Sequence, residues 1–142
     1  MGQHVWYQEY PTEPPAYILN GFIFSLLGLY DFWQATLAVP DMSDENNRAQ
    51  QLFSEGLESL VAVLPLFDTG SGSVYDLRHF TMPGTPPKIA RWDYHALHVN
   101  QLYVMSTITK KLHRDHEQFV SNSRNLDTRT QLLLSTAKRW QA

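Results

Sequence analysis

Hydrophobic residues recur at spacings of three and four in several stretches of the chain, which is the pattern of α-helices. The first stretch runs from Leu19 to Trp33. Phe24, Leu29 and Phe32 lie outside its main stripe, so this predicted helix is apolar on nearly every side. A helix of that kind is expected between two layers rather than on a surface. Three small residues within it predict the close approach of a neighbouring backbone: Gly21, Ser25 and Gly28.

Two further helices are predicted from the same periodicity. One runs from about Asp44 to Leu64 after a polar loop over residues 40–47, and Pro65 is expected to end it because proline has no amide to donate. The other begins near Asp93, which is a suitable N-cap residue. The buried face of this third helix is expected to hold Tyr94, Leu97, His98, Gln101, Leu102, Met105 and Ile108.

The remaining segments carry weaker patterns. The periodicity fades after Lys110, yet a final helix is allowed by Phe119, Val120, Leu126, Leu133, Ala137 and Trp140. The Gly- and Ser-rich stretch 67–75 predicts a short hairpin-like turn, and the prolines of 83–87 predict a loop. The predicted fold class is therefore all-α, with antiparallel helix pairs joined by irregular connections.

The composition is that of a globular chain. Its 142 residues are 43% hydrophobic and 18% charged, which excludes a disordered chain and predicts one domain or a piece of one. The absence of Cys excludes a disulfide framework and a Cys-based zinc site. The most apolar stretch, Tyr17 to Tyr30, is shorter than the roughly 20 apolar residues of a membrane span, so no membrane contact by this segment is expected.

Charge is distributed unevenly along the chain. Residues 1–77 hold one basic and ten acidic residues, whereas residues 78–142 hold ten basic and four acidic ones. The pattern indicates either an anionic partner for the basic part or two solvated faces of opposite sign that attract each other. Nucleic acid is not an expected partner, because the basic residues do not line one helix.

Motifs for phosphate loops, serine hydrolases and zinc peptidases are absent. His95 and His98 lie one helical turn apart, which suits either two metal ligands or two histidines that are exposed or hydrogen-bonded. The second case is commoner, so no metal site is predicted. Tyrosines lie beside charged residues at element ends in 8–11, 75–80 and 91–95, where sites are often built. The alternative there is buried tyrosines with satisfied hydroxyls.

Several strings of the chain resemble the C-terminal domain of the heparosan D-glucuronyl C5-epimerase family. They lie in order between residues 6 and 109: Glu9-Tyr10-Pro11-Thr12, Leu19-Asn20-Gly21-Phe22, Leu27-Gly28-Leu29-Tyr30-Asp31, Leu64-Pro65-Leu66-Phe67-Asp68-Thr69-Gly70-Ser71-Gly72, Tyr75-Asp76-Leu77-Arg78-His79, Arg91-Trp92-Asp93-Tyr94-His95 and Asn100-Gln101-Leu102. That family converts D-glucuronic acid to L-iduronic acid in the precursor of heparan sulfate and heparin. The resemblance implies part of an α/α toroid, a heparosan or N-sulfated heparosan substrate, no cofactor, a homodimer, and the Golgi lumen, with a membrane anchor at the N-terminus of the family's enzyme.

Inversion at C5 requires two proton-handling groups on opposite faces of the sugar ring, and a cation or several donors for the charge on the carboxylate. A free tyrosine has a pKa of about 10, and one close cation lowers such a pKa by about 1–3 units. Either a tyrosinate base or a neutral tyrosine acid opposite a separate base therefore stays open. The resemblance assigns catalysis to Glu9, Tyr10, Tyr75 and Tyr94, substrate binding to Arg78, and supporting contacts to Asn20, Arg91 and Asn100.

Neighbouring residues receive structural roles. Asp76 and Asp93 are expected to cap helices or to pair with Arg78 and Arg91, and Trp92 is expected in the core rather than as a platform for sugars.

The family's enzyme is several times longer than this chain, so residues 1–142 are expected to be a fragment of its catalytic-type C-terminal domain, without the upstream regions. Two alternatives follow for the function. One is a truncated, non-catalytic fragment that binds glycan. The other is a uronate polysaccharide lyase, which also abstracts the C5 proton but then eliminates the substituent at C4. Residues 110–137 depart from the family in length and content.

Overall fold

The structure, a computed structural model, describes residues 4–117 and 124–142, without the side chains of residues 116–117 and 124–126. The described residues form α1 (Leu19–Thr36), α2 (Ser43–Val63), a 3-10 turn (Leu64–Phe67), α3 (Arg78–Thr81), α4 (Trp92–Glu117) and α5 (Arg124–Gln141), with no strand among them. The predicted all-α class is confirmed. The chain divides into two compact units: Met1–Phe67 with Asp76–Lys88 (the first unit), and Asp68–Tyr75 with Ile89–Ala142 (the second unit).

The first unit is built on the packing of α1 against α2. Both helices follow the predicted periodicity, and their fully buried side chains include Phe22, Ile23, Leu26, Phe53 and Leu60. The segment before α1 adds Trp6, whose ring stacks on Phe22 with 3.8 Å between centroids and lies 5.8 Å from the ring of Phe67. Because aromatic rings bury large areas, this stack ties the N-terminal segment to the core of the unit.

The opposite side of α1 is not covered by described residues. Phe24 and Phe32 are 52% and 43% exposed, so the sandwiched position that the sequence predicts is not observed among residues 4–117 and 124–142. The close backbone approach predicted at the small residues is not found at Gly28. Among the described residues, and apart from the helix's own backbone, no atom would lie within 4 Å of a Cβ there, and at Gly21 the nearest atoms belong to the side chain of Glu9.

The predicted bounds of α2 are confirmed to within one residue at each end, and the chain continues through Pro65 as a 3-10 turn. The predicted loop 40–47 is too long, because the helix already begins at Ser43. A physical reason lies in Asn46, which is buried and whose Nδ2 donates to the carbonyl oxygen of Trp33 at 2.6 Å and to Thr36 Oγ1 at 2.8 Å. These bonds satisfy acceptors at the C-terminal end of α1, which no basic residue covers.

The second unit is built on α4 and α5, which pack along their length. Leu102 and Met105 of α4 are fully buried, as are Leu133 and Ala137 of α5. Trp140 is also buried, so the predicted final helix is confirmed in its second half. Phe119 and Val120 lie outside the described residues, and so does the side chain of Leu126.

The start of α4 differs from the prediction. The helix begins at Trp92, so Asp93 lies in its first turn rather than at the N-cap. The expectation that Trp92 belongs to the core is wrong, because its side chain is 85% exposed. The helix also continues beyond Lys110 to Glu117, over a stretch that includes the good helix formers Lys111, Leu112 and Arg114.

The predicted hairpin-like turn is present in the second unit. One antiparallel bridge closes the turn, and a second joins its end to the segment before α4. Asp68 pairs with Ser73, and the amide of Thr69 donates to the carbonyl oxygen of Gly72 at 3.0 Å. Gly70 has a φ of 87°, a value that favours glycine. The second bridge joins Val74 to Ile89 and aligns the end of the turn with the segment before α4.

We expect Asn46→Ala to lower the free energy of unfolding by about 1–3 kcal/mol, because it leaves a buried carbonyl and a buried hydroxyl with one bond fewer. Urea unfolding followed by circular dichroism measures this change. Asn47→Ala is the matched control, since Asn47 is the exposed neighbour on the same helix. Equal effects of the two substitutions would contradict the role given to Asn46.

Candidate functional site

Two predicted catalytic tyrosines contact each other within the second unit. The rings of Tyr75 and Tyr94 meet edge to face, with 4.7 Å between centroids and 74° between planes. Tyr75 comes from the end of the Gly/Ser turn and Tyr94 from the first turn of α4. Both side chains are half-buried, so each keeps contact with solvent. This pair is the part of the predicted site that the structure assembles most directly.

A third predicted residue lies beside this pair. The guanidinium carbon of Arg91 is 5.9 Å from the centroid of the Tyr94 ring, which is within the range of a cation–π interaction. Arg91 also pairs with Asp93 at 3.1 Å, as the sequence predicts. Because the Arg91 side chain is 75% exposed, this ion pair contributes little to stability, and the positive charge stays accessible to solvent.

A buried serine holds the turn that precedes Tyr75. The hydroxyl oxygen of Ser73 lies 3.0 Å from Nδ1 of His95 and 2.9 Å from Nδ1 of His98. Its carbonyl oxygen accepts from the amide of Ala90 at 2.9 Å. The two histidines that the sequence left open as metal ligands or hydrogen-bonded residues are therefore bonded through the same hydroxyl.

Burial changes the acid–base behaviour of one of these histidines. His98 is fully buried, and desolvation, with the nearby ring of His95 as a second cause, lowers the pKa of His98 to about 4. The side chain is therefore neutral at neutral pH. Its Nε2 is buried with no hydrogen-bond partner among the described residues.

The other end of the turn is fixed by a carboxylate. Asp68 accepts from the amide of Gly70 at 2.9 Å and from Nε1 of Trp140 at 3.0 Å, and it pairs with Arg139. Burial by itself would raise the pKa of Asp68, but the bonds from Trp140, Gly70 and Arg139 outweigh it and lower that pKa. Asp68 therefore remains ionised and anchors the turn to α5.

Asn100, a predicted substrate contact, lies on another side of α4. It comes six residues after Tyr94, which places it about 9 Å further along the helix and about 120° around it. There it lines a groove of about 290 Å³ together with His95, Ala96, Val99, Trp140 and Gln141. Within the second unit, Asn100 is therefore separated from the tyrosine pair.

The first unit holds the other predicted residues. The Glu9 carboxylate lies against Gly21 in the first turn of α1, where even a methyl group would overlap it. Asn20 is the preceding residue of the same turn and is buried. Tyr10 follows Glu9 in the chain, and its side chain is 55% exposed. The side chain of Glu9 therefore lies beside the first turn of α1, to which Asn20 belongs.

Arg78 is held in place by a buried carboxylate of the same unit. Its Nη2 and Nε donate to Asp76 Oδ2 at 2.6 and 2.9 Å, and its amide donates to Asp76 Oδ1 at 3.1 Å. The Asp76 side chain is 2% exposed and that of Arg78 is 41% exposed. The predicted pairing is confirmed, and it fixes the direction of a guanidinium that solvent still reaches.

Sequence reasoning missed the polar side chains that hold the turn. Ser73 reads as an ordinary turn residue, and neither it nor Asp68 carries a periodic signal. Nothing in the sequence around Arg139 and Trp140 indicates that both side chains donate hydrogen bonds to Asp68, which lies far away in the sequence. The only usable signal is the one-turn spacing of His95 and His98, which points to a shared partner.

Two features are absent from the part of the chain that the structure describes. Over residues 4–117 and 124–142, no group of three or more His, Asp or Glu side chains is placed to hold a metal ion. No helix among the same residues combines the length and apolar character that crossing a membrane requires.

Comparisons with known proteins agree with the resemblance seen in the sequence. The family model described as D-glucuronyl C5-epimerase C-terminus matches residues 1–124. A D-glucuronyl C5-epimerase of Caenorhabditis elegans is 52% identical over 112 residues, which cover 75% of this chain and 18% of that protein. An uncharacterized protein of Methanocaldococcus jannaschii is 40% identical over 73 residues, which cover 51% of this chain and 21% of that protein. The chain thus spans about a fifth of the length of these relatives.

We expect the folded chain to lose stability as the pH falls from about 7 to 4, because His98 takes up a proton more readily when unfolded. The pKa of His98 is about 4 in the folded state, against an ordinary value of about 6.5, so the unfolded state binds more protons in this window. From this group alone, stability at pH 5 should be about 2 kcal/mol lower than at pH 7.5.

Urea unfolding at both pH values measures the effect in wild type and in His98→Asn, whose amide can still donate to Ser73 but does not titrate. The difference between the two pH values should shrink in this variant. His4→Asn, at an exposed histidine, should leave the difference as it is in wild type. The same pH difference in His98→Asn and wild type would contradict the assignment.

Proposed function

Because the chain belongs to the D-glucuronyl C5-epimerase C-terminus family, we propose that it acts in the epimerisation of D-glucuronic acid to L-iduronic acid at C5 within heparosan or N-sulfated heparosan. The substrate would be a polyanionic polysaccharide, which suits the excess of basic residues after residue 77. By the same family relation, we propose the Golgi lumen as the site of action and a homodimer as the working assembly.

The observation that carries the proposal is the contact between Tyr75 and Tyr94, at 4.7 Å between ring centroids. A basic side chain takes the C5 proton, and the electron pair of the C5–H bond delocalises into the neighbouring carboxylate. An acidic side chain then gives a proton to C5 from the opposite face, so no electrons are gained or lost overall. A neutral phenol of the pair suits the acid, while the other phenol as a tyrosinate, or a separate carboxylate, suits the base. We propose Glu9 and Tyr10 as further proton-handling groups.

Negative charge accumulates on the substrate carboxylate after C5 loses its proton, and Arg78 is the proposed counter-charge. Its guanidinium is oriented by Asp76, so little side-chain freedom would be lost when it binds a carboxylate. A fixed cation lowers the energy of the intermediate without reorganising during the reaction. Asn20, Arg91 and Asn100 are proposed as further contacts with the polysaccharide.

We expect Tyr75→Phe and Tyr94→Phe each to slow the release of label from C5 of heparosan by about 10²-fold or more, since each substitution removes one proton-handling group. Tyr103→Phe is the matched control. It removes a hydroxyl from the same helix as Tyr94, where that hydroxyl donates to Gln141 at 2.6 Å, and it should change the rate by less than about 3-fold.

The products of this assay separate the alternatives. An unsaturated product that absorbs in the ultraviolet would show a lyase. Heparosan binding without any exchange at C5 would show a non-catalytic glycan-binding chain. Wild-type release of label in both tyrosine variants would remove these residues from the mechanism.

We expect Arg78→Gln to weaken heparosan binding and to make the remaining binding less sensitive to salt, because one cation that faces the polyanion is lost. Arg48→Gln, an equal change of charge at an exposed position of α2, should leave both quantities close to wild type. Binding isotherms at several salt concentrations test this. An identical salt dependence in wild type and Arg78→Gln would exclude Arg78 from the binding site.

A further inference from the structure

Ser73 is a polar residue that is almost completely buried, with 1% of its surface exposed, and both of its oxygens have hydrogen-bond partners. Its carbonyl oxygen accepts from Ala90, and its hydroxyl lies between two histidine rings. A buried hydroxyl is held in the one orientation that satisfies its partners, since a buried donor or acceptor without a hydrogen bond costs free energy. This residue therefore fixes its surroundings more firmly than a turn serine in solvent does.

The hydrogen bonds around Ser73 determine which ring nitrogen of His95 and of His98 carries the proton. His95 Nε2 lies 2.9 Å from the carbonyl oxygen of Trp140, which can only accept, so Nε2 carries the proton. In a neutral ring Nδ1 of His95 is then an acceptor, and the Ser73 hydroxyl donates to it. With that hydroxyl proton engaged, Nδ1 of His98 must be the donor to Ser73.

We propose that Ser73 is the positioning residue of the Tyr75–Tyr94 pair, acting through its hydrogen bonds to His95 and His98. The inference rests on the proposed function, because the tyrosine pair matters only if it handles protons at C5. It assigns a role in the reaction to a residue whose hydroxyl lies against two histidines.

Chain connectivity carries the effect from the serine to the tyrosines. Tyr75 comes two residues after Ser73, and Tyr94 is the residue before His95. A hydroxyl that joins Ser73 to α4 therefore sets the distance between the backbones of the two tyrosines. The bridge between Val74 and Ile89 supports the same alignment from the side. A displacement of about 1 Å in a reacting group can cost about 10²-fold in rate.

The matched pair Ser73→Thr and Ser73→Val isolates the hydroxyl. Both substitutions add the same bulk at a buried position, and only threonine keeps the donor and acceptor. Any effect of crowding is thus common to both variants, and any difference between them reports the hydrogen bonds. Ser73→Ala provides a third variant with no added bulk, should both larger residues prevent folding.

Nuclear magnetic resonance at pH 7.5 tests the geometry without any assay of activity. We expect the nitrogen shifts of the wild-type chain to show the proton on Nε2 of His95 and on Nδ1 of His98. We also expect the ring-proton shifts of Tyr75 and Tyr94 to be preserved in Ser73→Thr and to move in Ser73→Val or Ser73→Ala. The opposite tautomers, or ring shifts that do not respond to loss of the hydroxyl, would overturn the inference.

Exchange at C5 of heparosan tests the consequence for the reaction. We expect Ser73→Val to lower kcat by about 10- to 100-fold with KM within about 3-fold of wild type, and Ser73→Thr to restore kcat to within about 3-fold. Equal losses in both variants would attribute the effect to crowding and overturn the role of the hydroxyl. Absence of exchange in wild type would refute the proposed function, whereas the tautomers and ring shifts would still decide the geometry.

Discussion

The turn between Asp68 and Tyr75 depends on two polar side chains, one at each end, and the second unit is organised around them. Asp68 binds the indole of Trp140 on α5, and the hydroxyl of Ser73 binds two rings on α4. Hydrogen bonds to a charged group are stronger than neutral ones, and buried bonds are costly to break. The short turn is thereby attached to both helices of the unit, although it contains no regular strand.

The positions of the helices are predictable from the sequence where apolar residues repeat with the helical period. The stripes of α1 and α2 repeat over several turns, and the buried positions agree with them. The extent of the loop before α2 does not follow from the sequence, because tertiary hydrogen bonds decide it. Asn46 looks like a loop residue, yet its bonds to Trp33 and Thr36 make it part of α2. Asp93 looks like a cap, yet the helix begins one residue earlier.

The site is less predictable than the helices, because its contacts join residues with no regular spacing. The family resemblance implies catalytic roles for Tyr75 and Tyr94, and the rings of these two residues are in contact. Nothing in the sequence indicates which of two tryptophans is buried. Trp92 is 85% exposed, whereas Trp140 is 4% exposed and its carbonyl oxygen accepts a hydrogen bond from His95. Residue type sets a preference for burial, and the surrounding contacts decide the outcome.

The carboxylate of Glu9 lies where any side chain at Gly21 would have to be, so the two positions share one volume. A side chain at position 21 would force Glu9 to shift, because its Cβ would lie 2.9 Å from the Cβ of Glu9. The residue at one of these two positions therefore restricts which substitutions are tolerated at the other. Among homologous sequences, this requirement would be recorded as covariation: a bulkier residue in place of the glycine should occur together with a shorter one in place of the glutamate.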